Sequence, residues 1–194
     1  MVKKKVCIFI SGKGSNLNNL IKRSRDYNFP ANIELVVCNN RNALGIKFAK
    51  KYSIPLLIID TKLRNHENLI LYKLKERKID FICLAGYMKI ISKNFLRVYK
   101  RKILNIHPSL LPKYKGLSTF EKVLKNKDKL SGCTVHFVNE KLDGGKVIIQ
   151  KRFEVETRDN LLTLKKKTQR LEYLAYPEAI ITICNSFFTC SIYI

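Results

Sequence analysis

"VCIFISGKGSN" spans residues 6–16, and its two halves follow different patterns. Val6 to Ile10 form an unbroken apolar run, which suits a strand covered on both faces. Gly12 and Gly14 then let the chain turn sharply into a stretch, 15–25, with helical spacing of apolar residues. The same order recurs downstream. "IELVVCN" (33–39), "PLLIID" (55–60), "FICLAGY" (81–87) and "ILNIHPS" (103–109) read as buried strands. Helical spacing lies between them at 43–52, 66–78 and 92–100, with Leu69, Tyr72, Leu74 and Ile79 as an expected inner stripe. This alternation predicts an α/β, doubly wound, mostly parallel sheet.

The pattern changes after residue 117. A short helix (119–126) precedes "GCTVHFV" (132–138), "NEKLDGG" (139–145) and "KVIIQKRFEV" (146–155). Two strands joined by a loop containing Asp-Gly predict an antiparallel hairpin. Asp159 is placed to cap a long final helix, interrupted at Pro177, with a helical or irregular apolar tail to Ile194.

The chain has 194 residues, 46% of them hydrophobic, which suits one compact domain with a full core. The N-terminal "MVKKKVCIFI" lacks a signal-peptide cleavage pattern, and no run approaches the roughly 20 apolar residues of a membrane span. A cytoplasmic location with no membrane partner is expected. Cys7, Cys38, Cys83, Cys133, Cys184 and Cys190 are scattered, with no C-x-x-C spacing, so no metal is expected. The formal net charge is +23. Such a surface attracts nucleic acid and anionic metabolites. Abundant Lys, Ile and Asn also share AT-rich codons, however, and the lysines are spread along the chain. No specific nucleic-acid partner is expected.

Three places carry candidate chemistry. "SGKGSN" (11–16) joins a strand to a helix N-terminus, where backbone amides favour an anion. The third dinucleotide glycine is replaced by Leu17, and "CNN" stands where a ribose-binding acid belongs, so a single phosphate fits better than a dinucleotide. A ligand-free tight turn is the alternative. In "ILNIHPS", Asn105 and His107 share one strand face at the strand's carboxyl end. They are either an oxyanion-stabilising pair or a satisfied core pair, and Pro108 and Pro112 stiffen the exit. Asp143 in "LDGGKVI" is either a turn former or, if its loop reaches His107, a carboxylate favouring the charged imidazole. His136 reads as a satisfied strand histidine and His66 as an exposed helix residue.

Taken in order, "ISGKGSNL", "LAGYMKI", "NIHPSLLPKYKG", "TVHFVNEKLDGG" and "TQRLEYLAYPEAI" resemble the glycinamide ribonucleotide formyltransferases over roughly residues 5 to 182. The resemblance implies a Rossmann-like formyltransferase fold over residues 1–194. Its phosphate-binding half would span about 1–100, and its folate-binding and catalytic half about 81–194. It also implies formyl transfer from 10-formyltetrahydrofolate, as co-substrate, to the amine of glycinamide ribonucleotide, in a monomer or homodimer. By matched position, Asn105, His107 and Asp143 correspond to the catalytic trio. Gly14, Ser15 and Asn16, with Gln169 and Glu172, correspond to the phosphate site. Gly86, Met88 and Pro108 line the join between substrates. Arg64, Leu84, Lys89, Ile90, Ile91, Leu96, Ile103 and Val138, with the loop Asn139, Glu140, Lys141 and Leu142, correspond to the folate site.

The chain departs from that family at Lys89, where arginine is usual, and at Ser118 and Phe120, where histidines are common. A methionyl-tRNA formyltransferase shares the Asn-x-His and Asp pattern and suits the charge. It carries a further C-terminal domain, however, and lacks the "GSN" loop. A basic nucleic-acid-binding protein, the reading from another class, leaves the trio unexplained.

Overall fold

The computed structural model describes the backbone of residues 2–189 and the side chains of residues 2–185. Its elements, in chain order, are β1 (Lys4–Ile10), α1 (Ser15–Ser24), β2 (Ala31–Cys38), α2 (Ile46–Lys51), β3 (Leu56–Ile58), α3 (His66–Glu76), β4 (Phe81–Leu84), α4 (Lys93–Tyr99), β5 (Ile103–His107), α5 (Thr119–Lys125), β6 (Leu130–Phe137), β7 (Val147–Glu154) and α6 (Leu161–Thr189). Seven strands form a sheet in the order β3-β2-β1-β4-β5-β6-β7. β1 pairs in parallel with both β2 and β4, and β2 pairs in parallel with β3. The α/β expectation is met. By contact the chain divides into two compact units, Met1–Leu104 with Ile180–Ile194, and Asn105–Ala179.

In the first unit the continuous apolar runs become strands buried on both sides. Val6 through Ile10 have no exposed surface, nor do Phe81, Ile82 and Cys83. Phe9 meets Tyr87 and Phe95 edge-on, with centroids 5.3 and 6.4 Å apart. Each such large side chain contributes on the order of 1.5–3 kcal/mol by leaving water. The strand order reverses at β1, flanked by β2 and β4, so the loops leaving β1 and β4 form the crevice where open sheets of this type bind ligands.

The inner stripe of α3 differs from expectation. Ile70 and Leu74 are buried, while Leu69 and Tyr72 face solvent, 44% and 62% exposed. The i, i+4 pair sets the buried face, and Ile79, after the helix, completes it. His66, read as exposed, is half-buried as the first residue of α3, and its Nδ1 lies 2.7 Å from the Leu63 carbonyl.

In the second unit β6 and β7 form the expected antiparallel hairpin, with Cys133 opposite Lys151 and Val135 opposite Ile149. Gly145 permits the loop to close, because a Cβ there would lie 1.8 Å from the Phe137 carbonyl oxygen. Two expectations for the final helix are corrected. Its first turn is capped by Asn160, whose Oδ1 accepts from the amides of Leu162 and Thr163, at 2.9 and 3.1 Å. Asp159 instead accepts from the Glu156 amide and pairs with Lys167 at 2.7 Å. Pro177 does not end the helix, which runs through it from Leu161 to Thr189. Burial of Ala175, Tyr176, Ala179 and Ile180 around the proline offsets the backbone hydrogen bond it cannot make. The end of the expected tail, 190–194, lies outside the described residues. Cys7, Cys38, Cys83, Cys133 and Cys184 are buried, and no disulfide joins any of them among the described residues.

Candidate active site

β5 delivers Asn105 and His107 to one face at its carboxyl end, as strand alternation requires. The loop between β6 and β7 delivers Asp143, in a left-handed conformation (φ 45°) that Asp tolerates better than most residues. The three side chains meet. His107 Nδ1 lies 3.4 Å from Asp143 Oδ2, with the two side chains only 7% and 8% exposed. Asn105 Nδ2 donates to Asp143 Oδ1 at 3.3 Å. The Gly116 amide donates to Asp143 Oδ2 at 2.9 Å. Burial pushes the Asp143 carboxyl up, but His136, the Gly116 amide and the His107 ring outweigh it and hold the group below the usual carboxylate range.

His107 has a second partner that its sequence context did not reveal. Its Nε2 lies 2.8 Å from the Tyr114 carbonyl oxygen, which can only accept, so Nε2 carries a proton. Nδ1 is therefore the ring nitrogen directed at the carboxylate. Both nitrogens face oxygen acceptors, and the 3.4 Å contact with Asp143 is an ion pair only when the ring is protonated. His136 also joins the group. It is a satisfied strand histidine, with Nδ1 2.8 Å from the Phe137 carbonyl, yet its Nε2 lies 3.2 Å from Asn105 Nδ2 and 3.6 Å from Asp143 Oδ1. Alternation along β6 could place it on a face; only pairing could place that face against Asn105.

In the first unit, "SGKGSN" is the β1–α1 turn. Gly14 is left-handed (φ 71°), and a Cβ there would lie 2.5 Å from Gly45 Cα. Ser15 opens α1, Asn16 is 7% exposed, and the first turn holds no acidic residue. An anion at this helix end therefore meets no opposing carboxylate from α1. The "CNN" segment contributes bracing: Ser11 Oγ donates to Asn39 Oδ1 at 2.6 Å, and Asn40 Nδ2 donates to the Ser11 carbonyl at 3.2 Å. Ser11 Oγ also accepts the Met88 amide at 2.8 Å, tying this loop to the turn after β4.

That turn carries several folate-site candidates. Gly86 is left-handed (φ 75°). Met88 and Ile90 are 70% and 83% exposed, Lys89 and Arg64 are exposed, and Ile91 and Leu96 are half-buried. Leu84 and Ile103 are core residues, which back the surface and do not form it. Glu67 braces the segment, accepting the Ser92 amide at 3.1 Å and the Ser92 hydroxyl. A cavity of about 290 Å³ lies beside it, lined in part by Phe9, His66, Tyr87, Lys89 and Ile91. Burial, with the charge of Glu67 next, pushes the Tyr87 phenol up to about 12.

The remaining candidates lie in the second unit. Pro108 and Val138 are half-buried, while Asn139, Glu140, Lys141 and Leu142 are exposed on the hairpin loop. Asn139 Oδ1 accepts the Lys141 amide at 2.9 Å, which shapes the approach to Asp143. Gln169 and Glu172 are half-buried, one turn apart on α6. Among the described residues no group of His, Cys, Asp and Glu could hold a metal ion, and no helix is long and apolar enough to cross a membrane.

The formyl transferase family profile matches residues 4–180. Over 181 residues the chain is 38% identical to the phosphoribosylglycinamide formyltransferase of Haemophilus influenzae, covering 91% of this chain and 85% of that one. It is also 38% identical over 182 residues to the human trifunctional purine biosynthetic protein adenosine-3, covering 92% of this chain but 18% of the relative. The chain thus spans less than a fifth of that multifunctional protein. A crystal structure of phosphoribosylglycinamide formyltransferase from Brucella melitensis superposes with a TM-score of 0.90 at 39% identity, covering 94% of this chain and 96% of the other.

Proposed function

This chain belongs to the formyl transferase family, among the phosphoribosylglycinamide formyltransferases, and from that premise we propose that it moves a formyl group from 10-formyltetrahydrofolate to the amine of glycinamide ribonucleotide. The observation that carries the reading is the convergence of Asn105 Nδ2 and His107 Nδ1 on the two oxygens of Asp143. Two donors and a base gathered at one point suit acyl transfer to an amine.

In this mechanism the neutral amine attacks the formyl carbon, and negative charge develops on the formyl oxygen. Asn105 Nδ2–H and protonated His107 stabilise that charge. The ionised Asp143 orients the ring or an intervening water, and that water relays the amine's proton to the departing nitrogen. In the first unit Gly14, Ser15 and Asn16 are assigned to the substrate phosphate, and Gly86 and Met88 to the join between substrates. In the second unit Gln169 and Glu172 are assigned to the phosphate and Pro108 to the join. The exposed Met88 and Ile90, with the half-buried Ile91 and Leu96, offer apolar surface to a flat pterin, and the buried Leu84 and Ile103 back it. Val138 in the second unit is assigned to the same ligand. Arg64 and Lys89 offer cations to the folate's carboxylates, and residues 139–142 bound the pterin.

The test is direct: purified protein is given 10-formyltetrahydrofolate with either glycinamide ribonucleotide or methionyl-tRNA. Product with the ribonucleotide is expected. Robust product with the tRNA and none with the ribonucleotide would overturn the reading.

A further inference from the structure

We propose that Tyr114 is a positioning residue for His107, and that its phenol acts through its own backbone carbonyl. The kinetic consequence rests on the formyl-transfer reading; the structural one does not. Tyr114 Oη donates to Asp128 Oδ2 at 2.7 Å and accepts from Asn126 Nδ2 at 2.7 Å. Lys113 Nζ pairs with the other Asp128 oxygen at 3.3 Å. The phenol is thus held at both its donor and its acceptor.

Tyr114 needs such a hold. Its φ of 55° lies in the left-handed region, which a bulky residue rarely occupies. In that conformation its carbonyl accepts His107 Nε2 at 2.8 Å. Two residues on, the Gly116 amide, also at positive φ (74°), reaches Asp143 Oδ2 at 2.9 Å. One short stretch of backbone therefore grips both the imidazole and the carboxylate. The base of the loop is fixed separately, by Ser109 Oγ donating to the Lys113 carbonyl and Thr134 Oγ1 donating to the Ser109 carbonyl, each at 2.6 Å. The phenol's contribution is the tip. Without its hydroxyl, Tyr114 relaxes toward an ordinary backbone conformation and its carbonyl swings off Nε2. The ring then loses one of the two acceptors that set its plane.

The test uses Tyr114→Phe, which deletes only the hydroxyl. Its kcat is expected to fall on the order of 10–100-fold, as for a reacting group displaced by about an ångström, with both KM values little changed. Asp128→Ala should behave alike. Asp128→Asn keeps an oxygen acceptor for the phenol while losing the Lys113 ion pair, and should stay near wild type. A second readout needs no turnover. In protein labelled with ¹⁵N-histidine, the His107 Nε2–H proton, assigned by its loss in His107→Asn, should be downfield and slow to exchange with water. It should shift or broaden in Tyr114→Phe and Asp128→Ala. A resonance unchanged in Tyr114→Phe overturns the proposal, as does an unchanged kcat once the resonance is lost. A wild-type protein that formylates nothing defeats the functional reading, yet the resonance still decides the role of Tyr114.

Discussion

Asn105 Nδ2 donates to Asp143 Oδ1 at 3.3 Å, so a strand-end amide and a hairpin-loop carboxylate act on each other directly. Their contact couples the geometry of β5 to that of the β6–β7 loop.

Asp143→Asn keeps size but removes the charge that faces His107 Nδ1. Turnover should fall by a factor on the order of 10²–10³, comparable to losing one oxyanion donor. His107→Ala and the double variant should be little worse, because the residues act as one unit. Steady-state kinetics with a folded protein, checked by circular dichroism, decides. Near-normal turnover in Asp143→Asn would leave that residue a turn former only.

The same variant should show a pH-dependent stability difference. The folded-state pKa of Asp143 lies below its ordinary value. The carboxylate's stabilisation is therefore full above that ordinary value, about 4, and is lost as pH falls through the folded value. Urea midpoints of wild type and Asp143→Asn should differ at neutral pH and converge in acid. A gap that widens in acid would contradict the sign.

Gly14→Val tests the turn before α1. Valine would have to accept φ 71° and place its Cβ 2.5 Å from Gly45 Cα, so backbone must move. The cost should be on the order of 1–3 kcal/mol in unfolding free energy. Impaired ribonucleotide binding in this variant would therefore mix strain with lost contacts. Ser15→Ala, which keeps the backbone, is the cleaner probe: it should raise KM for the ribonucleotide and spare that for folate. Equal weakening of both ligands would remove Ser15 from the phosphate site.

His136→Leu removes the ring nitrogen facing Asn105 Nδ2 and the donor to the Phe137 carbonyl. Removing the polar contacts of a buried histidine ring, 2% exposed, should cost about 1–3 kcal/mol in stability. Turnover should fall as well, since Asn105 loses a contact that orients its amide. Denaturant titration and kcat together check this. Unchanged values for both would make His136 a passive strand residue.

The net charge of +23 should show itself as weak nucleic-acid binding without sequence preference. Affinity for duplex DNA should fall steeply as salt is raised from about 50 to 200 mM. Selective binding that survives near-physiological salt would assign the charge a specific partner.

The order of elements was legible in the chain because burial on both faces of a parallel strand leaves an unbroken apolar run, as in Val6–Ile10 and Phe81–Leu84. The shared face of Asn105 and His107 followed from strand alternation, and the β6–β7 hairpin from its Asp-Gly loop. These are local consequences of backbone geometry. The helix details were not so secure. The neighbours Leu69 and Ile70 are both apolar, and only packing decides which is buried. Asn160 took the cap expected of Asp159 because Asp159 was already committed to Lys167 and the Glu156 amide. Tertiary structure alone decided that Asp143 meets His107, that His136 lies against Asn105, and that the Tyr114 carbonyl holds Nε2. Each of those contacts joins residues from different strands or loops. Strand pairing and loop closure set such distances, and no periodicity along the chain encodes them.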